Sequence, residues 1–356
     1  MFITPALEQK CPIEAVQRSV GHASIRMKKS ILDIFLCQPE VLRGREKMKA
    51  SIGLCMVVKN EIDRITGCIE PIFDLLDRIV IVDDGSTDGT PELLKRRFGI
   101  EVVRKKREDG RTWLSLSDLK NTAFDRTDTP WLLSLDADER IAPQKLERFS
   151  HACHERNVSG YFGPWINHIG DQSFEDYKLF LFRKGFHMRG IIHENVQLDI
   201  RLRGGQADWL DYLQVSHYPE QRKDPERIAL RRRRSEVAIQ AEPAWYRYHW
   251  FLGLLKLAEG NRENARMAFS VAAQANSTLF PVECLNSRMM LAELLARQGV
   301  VDGVRRELDA ALAFHERVAD DFEVKINFRL KPWLDRARAH AAAGKWDAIR
   351  AYRFAW

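Results

Sequence analysis

The feature that most constrains the fold is an apolar run that ends in two closely spaced carboxylates. Residues 131–135 read Trp-Leu-Leu-Ser-Leu, and Asp136 and Asp138 follow directly. A strand that is apolar throughout is typical of a parallel sheet covered on both faces. Open α/β sheets bind ligands at the carboxyl ends of such strands. The pair therefore predicts a divalent cation shared with phosphate oxygens, with a solvated turn as the alternative.

The chain from Ser51 to Leu135 alternates apolar runs with helical periodicity. The predicted strands lie at 52–58, 78–82, 102–103 and 131–135, and the predicted helices at 62–76, from Thr90 onward and at 118–125. Thr90 followed by Pro91 is a typical capped helix start. This alternation indicates a parallel sheet with right-handed crossovers. We expect an α/β, Rossmann-like, mostly parallel sheet, followed by short strands at 161–165, 179–182 and 210–215.

Helix signals dominate from residue 224, after a junction marked by Pro219, Pro225 and Pro243. A weak repeat follows, because Gly253, Gly260, Phe269 and Ala272 recur 39 residues later as Ala292, Gly299, Leu308 and Ala311. This spacing fits tetratricopeptide-like (TPR-like) helical hairpins, with a generic helical bundle as the alternative. We predict three segments: an extension of uncertain role at 1–48, a catalytic domain at 49–222 and a helical TPR-like domain at 223–356.

Composition narrows the class of protein. The hydrophobic fraction of 45% and charged fraction of 30% are typical of a globular domain. A net charge of +6 suits an acidic ligand, and no nucleic-acid-binding motif accompanies it. The absence of a long apolar run or a secretory h-region, with scattered cysteines, predicts a cytoplasmic protein with reduced thiols. Residues 231–234 are four arginines, which predict a solvated helix or contact with an anionic lipid or phosphorylated acceptor.

Further polar groups are expected at the same sheet edge as Asp136. Asp83 and Asp84 end the second strand and could accept hydrogen bonds from a base or a ribose, although an ordinary turn is the alternative. Residues 57–61, Val-Val-Lys-Asn-Glu, end the first strand. Lys120 and Asn121 lie on the helix before the fourth strand, where the lysine suits a diphosphate as a point charge.

These segments together resemble the family 2 glycosyltransferases of GT-A fold. The matching order is Val-Lys-Asn-Glu at 58–61, Asp-Asp-Gly-Ser-Thr-Asp-Gly-Thr at 83–90, Ser-Asp-Leu-Lys-Asn at 117–121 and Leu-Asp-Ala-Asp-Glu at 135–139. The resemblance is strong over 51–140 and is closest to a compact bacterial branch that includes lipopolysaccharide-core glucosyltransferases. Lys120 stands where that branch usually has Arg, which retains the charge and loses bidentate geometry.

The resemblance implies roles for individual residues. The implied nucleotide-sugar ligands are Val57, Asn60, Glu61, Asp83, Asp84, Lys120, Asn121 and Asp136. Asp138 would be the more direct ligand of Mn²⁺ or Mg²⁺, with Asp136 beside it. His217 could complete the metal shell, touch a phosphate or be purely structural.

An inverting transferase needs a base that deprotonates the acceptor hydroxyl. Glu194, preceded by His193, is the first candidate, and a structural ion pair with His193 or Arg189 is its alternative. Asp176, beside Glu175, is the second candidate for the base.

The sequence thus predicts a metal-dependent glycosyltransferase that moves a sugar, expected from a UDP-sugar, to a glycan, lipid-linked or peptide acceptor of the cell surface. The helical domain would bind acceptor, a protein partner or a second copy. We expect no nucleic-acid partner and at most peripheral contact with the inner face of a membrane. The rivals are a non-catalytic TPR-type scaffold and a nucleotidyltransferase; the latter should show a glycine-rich triphosphate loop near the first strand, which this sequence lacks.

Overall fold

The computed structural model describes residues 49–105, 116–152, 157–219 and 225–352. Within these ranges the strands form one mixed sheet in the order β3-β2-β1-β4-β7-β6-β9-β5, and β8 pairs with β6. The strands are β1 (Ile52–Val58), β2 (Arg78–Asp83), β3 (Val103–Arg104), β4 (Trp131–Ser134), β5 (Glu139–Ile141), β6 (Val158–Ile169), β7 (Gln172–Arg183), β8 (Gln206–Trp209) and β9 (Val215–His217). The predicted extension at 1–48 lies outside the described residues.

Helices cover the sheet and form the C-terminal part. They are α1 (Ile65–Ile69), α2 (Thr90–Phe98), α3 (Ser117–Asp125), α4 (Pro143–His151), α5 (Gln197–Leu202), α6 (Pro225–Ala241), α7 (Arg247–Ala258), α8 (Arg262–Gln274), α9 (Pro281–Arg297), α10 (Val301–Val318), α11 (Phe322–Ile326) and α12 (Leu330–Ala342). In the part of the chain that the structure describes, no helix combines the length and apolarity needed to cross a membrane.

The parallel half of the sheet confirms the predicted alternation. β1 lies between β2 and β4, pairs with both in parallel, and β3 extends the sheet beyond β2. The chain therefore winds away from β1 in both directions, which creates a crevice at the carboxyl ends of β1 and β4. Apolar side chains from both faces of these strands are buried under α1, α3 and α4.

Two helix predictions need correction. The helix expected at 62–76 is only α1, which continues as a tighter 3-10 helix over Glu70–Leu75 that contains Pro71. Proline removes a backbone donor, so an α-helix cannot continue through it without loss. The cap of α2 is Gly89 at φ 90° rather than Thr90, and the Asp88 carboxylate accepts the Thr90 amide at 2.9 Å.

The short strands expected after residue 158 are in fact a long antiparallel hairpin. β6 and β7 are twelve residues each and pair from Gly160 opposite Phe182 to Ile169 opposite Gln172. Only the buried Leu179–Phe182 end reads as a strand in sequence, because the rest of β7 carries polar side chains. The strand expected at 210–215 is displaced, since β8 ends at Trp209 and β9 begins at Val215.

The C-terminal half consists of packed helical hairpins, as the repeat predicted. α7 with α8 and α9 with α10 form two helical hairpins, and the turn after the first helix of each contains Gly260 (φ 77°) or Gly299 (φ 72°). Gly253 lies against Phe269, where an added Cβ would be 2.4 Å from the ring. The small residue at this repeat position therefore lets the two helices approach closely.

The helical part also packs against the sheet. Arg201 of α5 pairs with Asp321 at 2.9 Å, and the Phe322 ring lies 5.9 Å from the Phe162 ring of β6. The boundary between residues 222 and 223 stays a prediction. Cys55, Cys68 and Cys284 are buried free thiols, as expected for those three.

Candidate active site

The crevice at the carboxyl ends of β1, β2 and β4 gathers most of the predicted donor-site residues. Asp136 and Asp138 follow β4, and Asp83 and Asp84 end β2. The Asp84 amide donates to the Val58 carbonyl at 2.9 Å, which ties the β2 turn to the end of β1. The sheet edge predicted from sequence is therefore a continuous polar surface.

Asp136 lies between two ammonium groups. Its Oδ1 is 3.4 Å from Lys120 Nζ, and its Oδ2 is 3.3 Å from Lys178 Nζ. Partial burial alone would raise the pKa of Asp136, but the two lysines lower that pKa well below its usual range. Asp136 is thus an anion at every physiological pH, and its charge is already compensated by the protein.

Lys178 also reaches the fully buried Glu139. The Lys178 ammonium is 2.6 Å from Glu139 Oε1, while Glu139 Oε2 accepts the Asp136 amide at 2.9 Å. Burial alone would lower the pKa of Lys178, but Asp136 and Glu139 raise it above its usual range. Glu139 therefore holds both the backbone amide of Asp136 and Lys178, the counter-ion of Asp136.

Lys120 connects the two halves of the site. Its side chain is nearly buried, and its ammonium is 3.6 Å from Glu194 Oε1 as well as 3.4 Å from Asp136. Burial alone would lower the pKa of Lys120, but Asp136 and Glu194 raise it. The predicted donor-site lysine and the predicted base are thus brought together around Asp136.

Asp138 has different neighbours from Asp136. Its Oδ2 is 3.5 Å from His217 Nε2 and 4.0 Å from the Arg64 guanidinium. β5 pairs with β9 so that Glu139 is opposite His217, and the Tyr218 amide donates to the Asp138 carbonyl at 2.9 Å. The sheet itself therefore holds His217 beside Asp138.

The donor set at Asp138 fits a divalent cation. His217 Nδ1 is 2.7 Å from Asn167 Oδ1, and with that oxygen as acceptor the proton lies on Nδ1. The Nε2 lone pair then faces Asp138, an arrangement common for metal-binding histidines. Among the described residues no group of three or more His, Cys, Asp or Glu side chains is placed to hold a metal. A cation here would need further ligands from substrate and water.

The turn after β2 is organised by its own side chains. Asp83 accepts the amides of Gly85 and Ser86 at 3.2 Å, and Asp84, which is also buried, is 3.9 Å from Lys59. Asn60, at φ 57°, accepts the Thr87 amide at 2.8 Å. Asp83 and Asn60 thus shape the edge at which Asp84 lies.

Three other predicted donor-site residues already contact neighbouring parts of the protein. Glu61 pairs with Arg64 at 2.7 Å, and Val57 is half-buried opposite Val82 in the sheet. Asn121 exchanges two hydrogen bonds with the backbone of Met188, at 2.8 and 3.1 Å. Its amide is therefore engaged in holding the loop that follows β7.

That loop positions the candidate base. Ser117 donates to the Gly190 carbonyl at 2.6 Å, and the backbones of Arg189 and Asn195 exchange bonds at 3.0 and 3.1 Å. The tip of the loop carries His193 and Glu194. Arg189 pairs with Asp199 at 2.7 Å and Glu194 pairs with Lys120, so the expected alternative of an Arg189–Glu194 ion pair is wrong.

A cavity of about 500 Å³ opens beside this loop. Its walls include Asp176, Glu194, His217 and Trp165, and α6 contributes Arg231 and Arg234. Burial raises the pKa of the Asp176 carboxyl. Both candidate bases therefore face one space, together with two of the four consecutive arginines.

His193 is an exposed residue at the tip of the loop, although its ring packs on one side against α7. Its ring stacks on Phe251 with centroids 3.5 Å apart, and its carbonyl accepts from Arg247 at 2.7 Å. Desolvation of the ring, with Arg247 and Arg231 nearby, lowers the pKa of His193 to about 3. At neutral pH the ring therefore packs against α7 as an uncharged imidazole.

Sequence reasoning missed Lys178, Glu139 and Trp165. Lys178 and Asp176 share a face of β7 with the buried Phe180, and this alternation was the available signal. Arg183 lies opposite Trp131 at the other end of β4 and donates to the Val158 carbonyl.

Comparisons with known proteins agree with this geometry. Residues 54–201 match the family model of glycosyl transferase family 2. The match covers less than half of the chain and marks this stretch as similar to a glycosyltransferase family 2 domain. The mixed sheet followed by helices agrees with the α/β fold and the helical C-terminal region predicted from sequence.

Curated relatives match shorter stretches. An uncharacterized glycosyltransferase of Rickettsia prowazekii is 27% identical over 125 residues, which are 34% of this chain and 40% of that protein. A TPR repeat-containing protein of Synechococcus elongatus is 29% identical over 92 residues, 26% of this chain and 21% of that protein. The chain thus spans about two fifths or less of these relatives. S. aureus TarS 1–349 aligns over 83% of this chain and 89% of that chain, with a TM-score of 0.43 and 13% identity, too distant to support an argument.

The pKa of His193 predicts acid sensitivity. Because the folded-state pKa of about 3 lies below the ordinary value of 6.5, the unfolded chain binds a proton that the folded chain does not. The contribution of His193 to stability is full above pH 6.5 and is lost as the pH drops toward 3, and it is smaller than for an enclosed imidazole because the residue is exposed. His193→Asn, which tolerates the positive φ, should reduce this slope in urea unfolding at pH 4 to 7.

The matched control is His151→Asn, at an exposed position of α4. An unchanged slope in His193→Asn would show that the His193 ring titrates freely in the folded protein.

Proposed function

We propose that this chain transfers a sugar from a nucleotide-diphosphate sugar, expected to be a UDP-sugar, to an acceptor hydroxyl with inversion, using Mn²⁺ or Mg²⁺. The observation that carries the proposal is the different surroundings of two carboxylates one residue apart. Asp136 is neutralised by Lys120 and Lys178, whereas Asp138 faces His217. This separates a substrate-positioning carboxylate from a metal-binding one.

The donor would occupy the crevice beside β1 and β2. Asp84 and the Asn60–Glu61 edge are suited to a base and ribose, because they present carboxylate and backbone groups at the strand ends. Asp136, held rigid by two lysines, is suited to a ribose hydroxyl. UDP is the expected nucleotide on the family resemblance.

Asp138 and His217 would hold the metal ion, and diphosphate oxygens and water would fill its remaining positions. A cation bound there supplies charge stabilisation for the departing nucleotide diphosphate. Arg64 and Lys120 lie close enough to the aspartates to add positive charge to the same region. The protein's own cations therefore assist the leaving group whichever divalent ion is bound.

Glu194 is the proposed base. The shared contact with Lys120 places its carboxylate next to Asp136, and its loop is pinned by α3. A carboxylate at the edge of the donor site can accept the acceptor proton as the new glycosidic bond forms. Asp176, on the wall of the same cavity and with a raised pKa, is the alternative.

The acceptor would enter the cavity lined by Glu194, Trp165 and α6. Arg231 and Arg234 on that wall suit an acceptor that carries negative charge, such as a lipid-linked or cell-surface glycan. The scaffold alternative, with a degenerate transferase domain, predicts no turnover of any nucleotide sugar. A hydrolysis assay with a panel of nucleotide sugars separates it from the proposal.

The metal role of Asp138 is tested by Asp138→Asn. The change keeps the side-chain size and removes the charge, so we expect at least about a 100-fold loss of nucleotide-sugar turnover and loss of Mn²⁺-dependent UDP binding. Release of nucleoside diphosphate and titration calorimetry measure the two effects.

Asp128→Asn, at an exposed position before β4, is the matched control. Wild-type turnover in excess EDTA, or in Asp138→Asn, would show that side-chain cations alone stabilise the leaving group.

The base is tested by Glu194→Gln. We expect UDP affinity to be retained and turnover to fall by roughly 10²–10⁴-fold, because the variant lacks a proton acceptor. Glu236→Gln, exposed on α6, is the control. Undiminished turnover in Glu194→Gln would transfer the assignment to Asp176.

A further inference from the structure

A second cavity of about 250 Å³ lies beside the acceptor cavity, between the sheet and the helical domain. The two cavities share Trp165, Asp176 and Phe251 as walls. The second cavity is smaller than the roughly 300–1,000 Å³ of sites that enclose a drug-sized ligand. It therefore suits one ring-sized unit that continues into the first cavity.

Two residues that line the cavity each carry a buried polar atom with no hydrogen-bond partner within the described residues. The atoms are Glu283 Oε2 and Trp165 Nε1. Glu283 is only 6% exposed, and its other oxygen pairs with Arg247 at 2.6 Å. A buried acceptor and a buried donor without partners are costly, so a ligand with hydroxyl groups that reached them could satisfy both.

Aromatic side chains complete the walls. Tyr177, Trp250 and Phe328 line the cavity, and Phe328 is 43% exposed although it is large and apolar. A sugar ring offers C–H faces to such aromatic surfaces and hydroxyl groups to the polar atoms. The mixture of rings and paired donor and acceptor groups therefore fits a hydroxyl-rich ligand.

The charges of the cavity disfavour an anionic ligand. The carboxyl groups of Asp176, Glu283 and Glu323 are on its walls, together with two guanidinium groups. Arg247 is paired with Glu283, and Arg329 donates to the Glu175 carbonyl. Burial, followed by repulsion from Glu283, raises the pKa of Glu323 to about 7. A phosphate would meet these carboxylates, whereas a neutral sugar would not.

We propose that this second cavity is a distal acceptor subsite that binds a further sugar unit, so that the acceptor is a glycan of at least two units. The inference rests on the proposed function. Arg247 joins Glu283 of the subsite to the His193 carbonyl, directly before Glu194. Occupation of the distal subsite would therefore also bear on the loop that carries the proposed base.

The test is binding of the full chain, with UDP and Mn²⁺ present, to an array of mono-, di- and trisaccharides and of unglycosylated peptides. Retention of di- or trisaccharides at least 10-fold above their component monosaccharides is expected. Phe328→Ala removes an exposed wall, and Val282→Met fills the cavity, so each should lower that preference several-fold. Met267→Ala, exposed on α8, is the control.

Thermal melts followed by circular dichroism establish that the variants are folded. The proposal would be overturned by equal retention of mono- and oligosaccharides, by retention of peptides only, or by no retained glycan. An unchanged length preference in both variants would also overturn it. Turnover of nucleotide sugars by the wild-type chain without acceptor is measured separately. Turnover of a nucleotide sugar without any length preference would overturn only the distal subsite. No turnover of any nucleotide sugar would overturn the proposed glycosyltransferase function.

Discussion

The candidate site depends on the ammonium of Lys178, which joins β7 to the end of β4. It lies 2.6 Å from the buried Glu139 and 3.3 Å from Asp136. Buried ion pairs repay their desolvation only when geometry and hydrogen bonding are good. Here Glu139 also accepts the Asp136 amide, so one carboxylate holds both the backbone and the counter-ion of the motif. Without Lys178, two carboxylates would repel each other at the mouth of the sheet.

This arrangement gives the two aspartates different surroundings. Asp136 is paired with both Lys120 and Lys178. Asp138 lies beside His217, whose Nδ1 is hydrogen-bonded to Asn167. The antiparallel pairing of β5 with β9 brings His217 there from almost 80 residues further along the chain. Helices α6 and α7 line the cavity beside Glu194, so the crevice and this cavity are built by different parts of the chain.

The parallel sheet, α3 and the helical repeat could be predicted because their signals are local. Apolar runs mark β1, β2 and β4, and the 39-residue spacing marks the hairpins that Gly253 and Phe269 hold together. The length of the β6–β7 hairpin could not be predicted, since polar residues of β7 face a cavity rather than solvent. Lys178 and Trp165 were missed for the same reason, as their importance comes from antiparallel pairing across the sheet. The pairing of Glu194 with Lys120 likewise depends on the loop fold rather than on sequence spacing.

We propose that Asp138 and His217, rather than Asp136, hold the divalent cation. The most direct measurement is an anomalous difference map from crystals of this protein grown with UDP and Mn²⁺. The account predicts a manganese peak bonded to the Asp138 carboxylate and His217 Nε2, with Asp136 still on Lys120 and Lys178. A peak bonded to Asp136 with its lysines displaced, or UDP bound with no manganese peak at Asp138, would contradict it.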